Sequence, residues 1–223
     1  MLKRRCFTLN SITLSAESVS VKKLCAKDKR LAKVISMVGP ITYTTHNDDP
    51  YRFMVHEIIE QMLSIKAGAK IFERLDELCN GNINPLTVSN LSEEEIKSTG
   101  TSSNKARYIK CLTNSVIAGD INFAELEHLS DEDVIKRLTT IKGIGIWTAK
   151  MYLIFVLDRQ NVLPTEDVAF LQSFCWLYKI EHPTKAEIIK KCSKWSPYSS
   201  IASRYLYRAL DLGLTKQEFH LYK

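Results

Sequence analysis

The chain is 223 residues long, with 45% hydrophobic and 25% charged side chains and a formal net charge of +6. This length can bury one large core or two smaller ones, and the composition is that of an ordinary soluble globular protein. No apolar run approaches the ~18–20 residues of a membrane span, and the modest positive charge permits nucleic-acid binding without demanding it. The opening MLKRRCFTLNSITLS has basic residues but no uninterrupted apolar stretch, so no secretory signal is expected. Cys6, Cys25, Cys79, Cys111, Cys175 and Cys192 are scattered without a CxxC pair. That spacing predicts free thiols, with neither a disulfide framework nor an iron–sulfur cluster. The five histidines offer no zinc spacing, so no catalytic metal ligand and no cofactor are expected, with a structural cation at the hairpin left open.

In chain order, KKLCAKDKRLAK reads as the solvated face of an amphipathic helix. PITYTT, 40–45, reads as a short extended piece, and nothing alternates long enough to build a larger sheet. Val55, Ile58, Ile59, Met62 and Leu63 form a helical stripe that Ile71, Phe72, Leu75 and Leu78 continue. Helix starts are marked by Ser92 with Glu95, Ser130 with Asp133 and Thr184 with Glu187. The acidic triplet Glu93–Glu95 reads as a helix N-terminus on the surface. The turns are short and polar, none resembles a flexible linker, and the whole predicts an all-α fold of about ten short helices.

One stretch stands out. IKGIGIWTAK, 141–150, holds two of only eight glycines, between a helix ending near Ile141 and another beginning near Trp147. A tight turn between helices favours residues without a Cβ, and amides at a helix start form an anion site. Lys142 would add charge and Thr148 a hydroxyl, with Gly143, Ile144 and Gly145 letting a phosphate approach the backbone. An ordinary αα-turn with a glycine cap is the plainer alternative. Downstream, Pro164 ends the next helix and Asp167 opens another. It can serve as a simple N-cap, or as a carboxylate oriented by helix amides for electrostatic catalysis.

The fuller pattern L-x-x-I-K-G-I-G-x-W-T-A resembles the helix-hairpin-helix motif of DNA-repair proteins. With the P-x-x-D that follows, the chain resembles the helix-hairpin-helix (HhH-GPD) DNA glycosylase superfamily, and within it the alkylpurine, or 3-methyladenine, DNA glycosylases of type II. The likeness runs from about 49 to 207. HEIIEQMLSIKAGAKIFERL is similar to the family's helix with Q-x-x-S-x-x-A. GTSSNKARYI matches G-x-S-x-x-K-x-x-Y-I through Gly100, Ser102, Lys105, Tyr108 and Ile109. SPYSSIASRYLYRAL resembles P-W-R-S-x-A-x-x-Y-L-W-R.

The resemblance implies a compact two-lobed helical core with its cleft between the lobes and no full N-terminal β-domain. The implied lobes are 1–48 with 150–223, and 49–149 ending in a hairpin at about 131–158. It implies a monofunctional glycosylase that flips alkylated purines out of duplex DNA and hydrolyses the N-glycosidic bond, as a monomer, in base excision repair. Such a protein would be cytoplasmic and nucleoid-associated in a bacterium, or nuclear in a eukaryote. Asp167 is then the catalytic carboxylate, and Trp147, Tyr207 and Met151 line the base pocket. Lys142, Gly143, Ile144, Gly145, Thr148, Ser102 and Lys105 contact DNA, and Met62 is either the wedge filling the vacated stack or a core methionine. Trp147 occupies the position where bifunctional relatives carry a Schiff-base lysine, so no AP lyase activity is expected. Met62 replaces the second glutamine of the family's Q-Q pair, Tyr207 a commoner tryptophan, and Met151 an aromatic of some relatives. The rival readings are a hairpin protein that binds duplex DNA without catalysis, and a glycosylase for hypoxanthine, ethenoadenine or uracil.

Overall fold

A computed structural model of the chain describes residues 11–222; the expected thiol at Cys6 and the opening basic residues lie outside them. In chain order the elements are β1 (Ser11–Leu14), α1 (Val19–Lys27), α2 (Lys29–Val38), β2 (Ile41–Thr44), α3 (Pro50–Glu60), α4 (Ile65–Leu78), α5 (Pro85–Ser89), α6 (Glu93–Ser98) and α7 (Ser103–Ile117). They continue with α8 (Phe123–Leu126), α9 (Asp131–Leu138), α10 (Ile146–Phe155), α11 (Val168–Tyr178), α12 (Lys185–Cys192) and α13 (Ser199–Asp211). Among the described residues no helix is long and apolar enough to cross a membrane. Among the described residues the fold is all-α apart from one two-stranded sheet, as the helical periodicity predicts.

The described residues divide into two compact units, one of 11–45 with 158–222 and the other of 46–157. The second boundary differs from the expected 149/150 because α10 is one unbroken helix, so it stays whole in the central unit.

In the unit built from both chain ends, β1 and β2 pair antiparallel with Ser11 opposite Thr44 and Leu14 opposite Ile41. The PITYTT expectation holds for β2, whereas β1 is only four residues of alternation and carries too little pattern to be read alone. The basic run is two helices, not one. Asp28 breaks it, serving as N-cap of α2 with its Oδ1 accepting from the amides of Arg30 (3.0 Å) and Leu31 (3.2 Å). The core here gathers Leu24, Leu31, Phe170, Phe174, Trp195 and Tyr205, with Trp195 edge-on to Phe170 at 6.3 Å. Cys192 is buried here and Cys175 partly so, packing roles like those of Trp195 and Tyr205.

In the central unit, Asp49 caps α3 through the Arg52 amide at 3.0 Å, with Pro50 at the first helical position, where its missing N–H costs nothing. Ser92 with Glu95 forms a reciprocal capping box on α6, as expected, and Ser130 caps α9 through the Asp133 amide at 3.1 Å. Val55, Ile58, Ile59 and Leu75 are fully buried. The expected stripe stops there: α3 ends at Glu60, and Met62 and Leu63 lie exposed in the turn before Ser64 caps α4. HEIIEQMLSIKAGAKIFERL is thus two helices joined by a four-residue turn.

Candidate functional site

The hairpin joins α9 to α10 through residues 139–145. Ile141 and Ile144 bury their side chains beneath it, and the Ile144 amide donates to the Ile141 carbonyl at 3.0 Å. The two glycines do different work. Gly143 has φ +95°, and a Cβ there would sit 2.1 Å from Cγ of Tyr108, so both its conformation and its packing exclude a side chain. Gly145 has φ −98° and ψ −179°, ordinary extended backbone, and nothing lies within 4 Å of where its Cβ would be. The space it leaves belongs to the outside. As N-cap of α10, Gly145 also brings no side-chain oxygen to the first-turn amides. Those amides have no carbonyl four residues earlier in the helix to accept from them, and they sit at its positive end.

Several expected DNA contacts are held within the protein instead. Thr148 is 1% exposed, its hydroxyl accepting from Nε2 of Gln61 at 3.3 Å. Ile144 offers neither side chain nor amide to a partner, since both are engaged below the turn. Lys105 points its ammonium at main-chain carbonyls, Ile59 O at 2.7 Å and Gln61 O at 2.5 Å. Burial pushes its pKa below the ordinary lysine range. It fits there because α3 ends at Glu60 and its last carbonyls have no helical partner. Ser102 is exposed and caps α7, its hydroxyl accepting from the Lys105 amide at 3.3 Å. Lys142 is exposed on the hairpin.

These bonds join the hairpin to the α3–α4 turn. Gln61 Nε2 donates to Gly143 O at 3.0 Å, Lys105 fastens the turn's carbonyls, and the next residue, Met62, stands 99% exposed at φ +57°. The core alternative for Met62 is excluded. Gln61 is the residue that motif reading missed as an actor. Its signal was its place as the glutamine of Q-x-x-S, next to the Met62 that replaces the second glutamine of the pair.

Of the expected pocket residues, Trp147 is half-buried in the first turn of α10 and Met151 is buried one turn later, 3% exposed. Tyr207, on α13, is half-buried against the core of the terminal unit. Asp167 opens α11 in that same unit. Its amide donates to Pro164 O at 3.0 Å, and its Oδ1 accepts from the Phe170 amide at 2.7 Å, leaving the residue 8% exposed. The N-cap expectation is met. Two further chain features support the turn before it: the Val162 amide donates to Ser200 Oγ at 2.9 Å, and Ser200 Oγ donates to Arg159 O.

Residues 55–197 match the family described as HhH-GPD superfamily base excision DNA repair protein. The chain is 30% identical over 205 residues to DNA-3-methyladenine glycosylase 1 of Schizosaccharomyces pombe, covering 90% of each chain. The crystal structure of a DNA-3-methyladenine glycosidase from Bacillus halodurans superposes with a TM-score of 0.80 at 34% identity, covering 93% of this chain and 96% of that one. The S. pombe 3-methyladenine DNA glycosylase in complex with abasic DNA gives a TM-score of 0.82 at 28% identity, covering 92% and 100%. On that family match and that relative, the chain belongs to the HhH-GPD superfamily of base excision DNA repair proteins.

Proposed function

We infer that this chain is an alkylbase DNA glycosylase of base excision repair, releasing N3- or N7-alkylated purines from duplex DNA without cutting the strand. The observation that carries the reading is Asp167, a carboxylate fixed by the Phe170 amide at the start of α11 and following the hairpin in the family's order. An alkylated purine carries positive charge, so its glycosidic bond is already weak. As the C1′–N bond breaks, its electron pair leaves with the base and the sugar becomes oxocarbenium-like. A fixed anion stabilises that developing charge. Water then adds to C1′ and gives up a proton to the surrounding solvent, completing hydrolysis.

The other roles follow from the residues left accessible. Lys142 and the backbone at Gly143 and Gly145 take a phosphate of the DNA strand, a contact that positions without reading sequence. Ser102, exposed at the start of α7, adds a hydroxyl to that set. Met62 is the wedge: it is exposed, apolar and carried on a turn that Gln61 ties to the hairpin and Lys105 ties to α7. Trp147 and Tyr207 offer aromatic faces to an electron-poor base, and Met151 supports Trp147 from the next turn of α10. Trp147 in place of a nucleophilic lysine leaves no Schiff-base chemistry at that position.

Incubation with methylated genomic DNA should release 3-methyladenine or 7-methylguanine, identified by mass spectrometry, and borohydride should trap no covalent adduct. Release of no alkylated base would overturn the activity, and a trapped adduct would overturn the monofunctional reading. The two glycines give a second test. Gly143→Ala should cost more than about 2 kcal/mol of stability, from the φ and the clash with Tyr108. Gly145→Ala should change stability by no more than about 0.5 kcal/mol yet weaken binding to duplex DNA several-fold. A Gly145→Ala protein that binds DNA normally would remove the hairpin from the interface.

A further inference from the structure

One face of α3 carries a side-chain cluster that the glycosylase reading does not use. His56 sits between two carboxylates, its Nδ1 3.3 Å from Glu57 Oε1 and its Nε2 3.4 Å from Glu60 Oε1. One donor atom from each of the three residues lies within 4.8 Å of the others. The group is held in place from several sides. The Phe72 ring meets the imidazole edge-on at 4.9 Å, and Glu57 is 8% exposed. Gly68 of α4 leaves the room that Glu60 fills, since a Cβ there would lie 2.9 Å from Glu60 Cγ. A cavity of about 490 Å³ opens beside the cluster, lined by His46, Asp48, Asp49, Arg52, His56 and Glu57 among others.

We propose that His56, through Nε2, and Glu60 bind one divalent transition-metal ion of the zinc class, with Glu57 orienting the imidazole through its other nitrogen. The 3.4 Å between His56 Nε2 and Glu60 Oε1 is the edge of a tetrahedron with metal–ligand bonds of about 2.1 Å. His56 and Glu60 are one helical turn apart, so both ligands project from the same face without backbone movement. A neutral imidazole with two carboxylates carries a charge that a divalent ion cancels. The mixed nitrogen and oxygen donor set favours zinc-like ions over magnesium or calcium, which take oxygen ligands. Two protein ligands leave the remaining positions to water, and the cavity beside His56 and Glu57 supplies an entry path. The ion would tie down the last turn of α3, immediately before Gln61 and Met62.

The test uses the full chain, stripped with chelator and titrated calorimetrically with Zn²⁺, then spectroscopically with Co²⁺. One equivalent should bind, with a Co²⁺ spectrum of nitrogen and oxygen ligation lacking thiolate charge-transfer bands. His56→Gln and Glu60→Gln, checked for folding by circular dichroism, should each weaken binding at least about tenfold. Absence of stoichiometric binding, undiminished affinity in both variants, or thiolate bands showing capture by cysteines would each overturn the site. Because the readout is metal binding, a failure of base release leaves it unaffected.

Discussion

Asp167→Asn is expected to abolish release of alkylated base, by at least about a thousandfold, while duplex binding and thermal stability stay near wild type. Asparagine is nearly isosteric, and its carbonyl oxygen can still accept from the Phe170 amide, so the cap that Asp167 provides survives the change. What disappears is the negative charge. Preorganised electrostatic groups contribute about 10²–10³ in rate each, and an anion opposite a cationic transition state belongs at the upper end or beyond. Asp167→Ala is the less informative variant, since it also removes the cap and costs about 1 kcal/mol. The paired measurements are single-turnover base release from an alkylated duplex and binding to the same duplex. If Asp167 were only a helix cap, the asparagine protein would release base at the wild-type rate, and that result would remove Asp167 from the chemistry.

How legible this was in advance depends on the kind of signal. Helix caps were readable, because a hydroxyl and a carboxylate three residues apart form a local bond: Ser92 with Glu95 and Thr184 with Glu187 both close capping boxes. The strand β1 was not, since its four residues acquire meaning only from pairing with β2 some thirty positions later. Met62 shows the same limit. Its spacing from Val55, Ile58 and Ile59 fits a buried stripe, but the helix ends at Glu60 and the residue enters the left-handed region, fully exposed. Among the site residues, type and order pointed to Lys142 and the two glycines. They could not show that Lys105 and Thr148 are turned inward, because the carbonyls of Ile59 and Gln61 and the amide that hold them come from elsewhere in the chain. Sequence order fixes which chemistry is present, and tertiary partners decide which groups face outward.

The largest effect on stability is expected at Asp28, far in sequence from any catalytic residue. This carboxylate is 2% exposed, yet it accepts five donors: the amides of Arg30 and Leu31, the Tyr178 hydroxyl, Trp195 Nε1 at 2.9 Å and Lys194 Nζ at 3.1 Å. Burial by itself would raise its pKa, but the bonds from Tyr178, Trp195, Lys194 and Leu31 outweigh it and hold the group below the ordinary aspartate value. Asp28→Ala removes the cap of α2 and strands two buried donors on Tyr178 and Trp195, while Lys194 can turn to water. Each stranded donor costs about 1–3 kcal/mol and the cap about 1, so a loss of about 4 kcal/mol is expected in urea unfolding near neutral pH. Because the folded pKa is depressed, the contribution is fully present above the unfolded value near 3.8. It is lost as pH falls through the lower folded value. The gap between wild type and Asp28→Ala should therefore narrow below about pH 4. A gap that stays unchanged well below about pH 4, or one under about 1 kcal/mol at neutral pH, would mean that Asp28 is a plain helix cap and that its aromatic partners gain nothing from its charge.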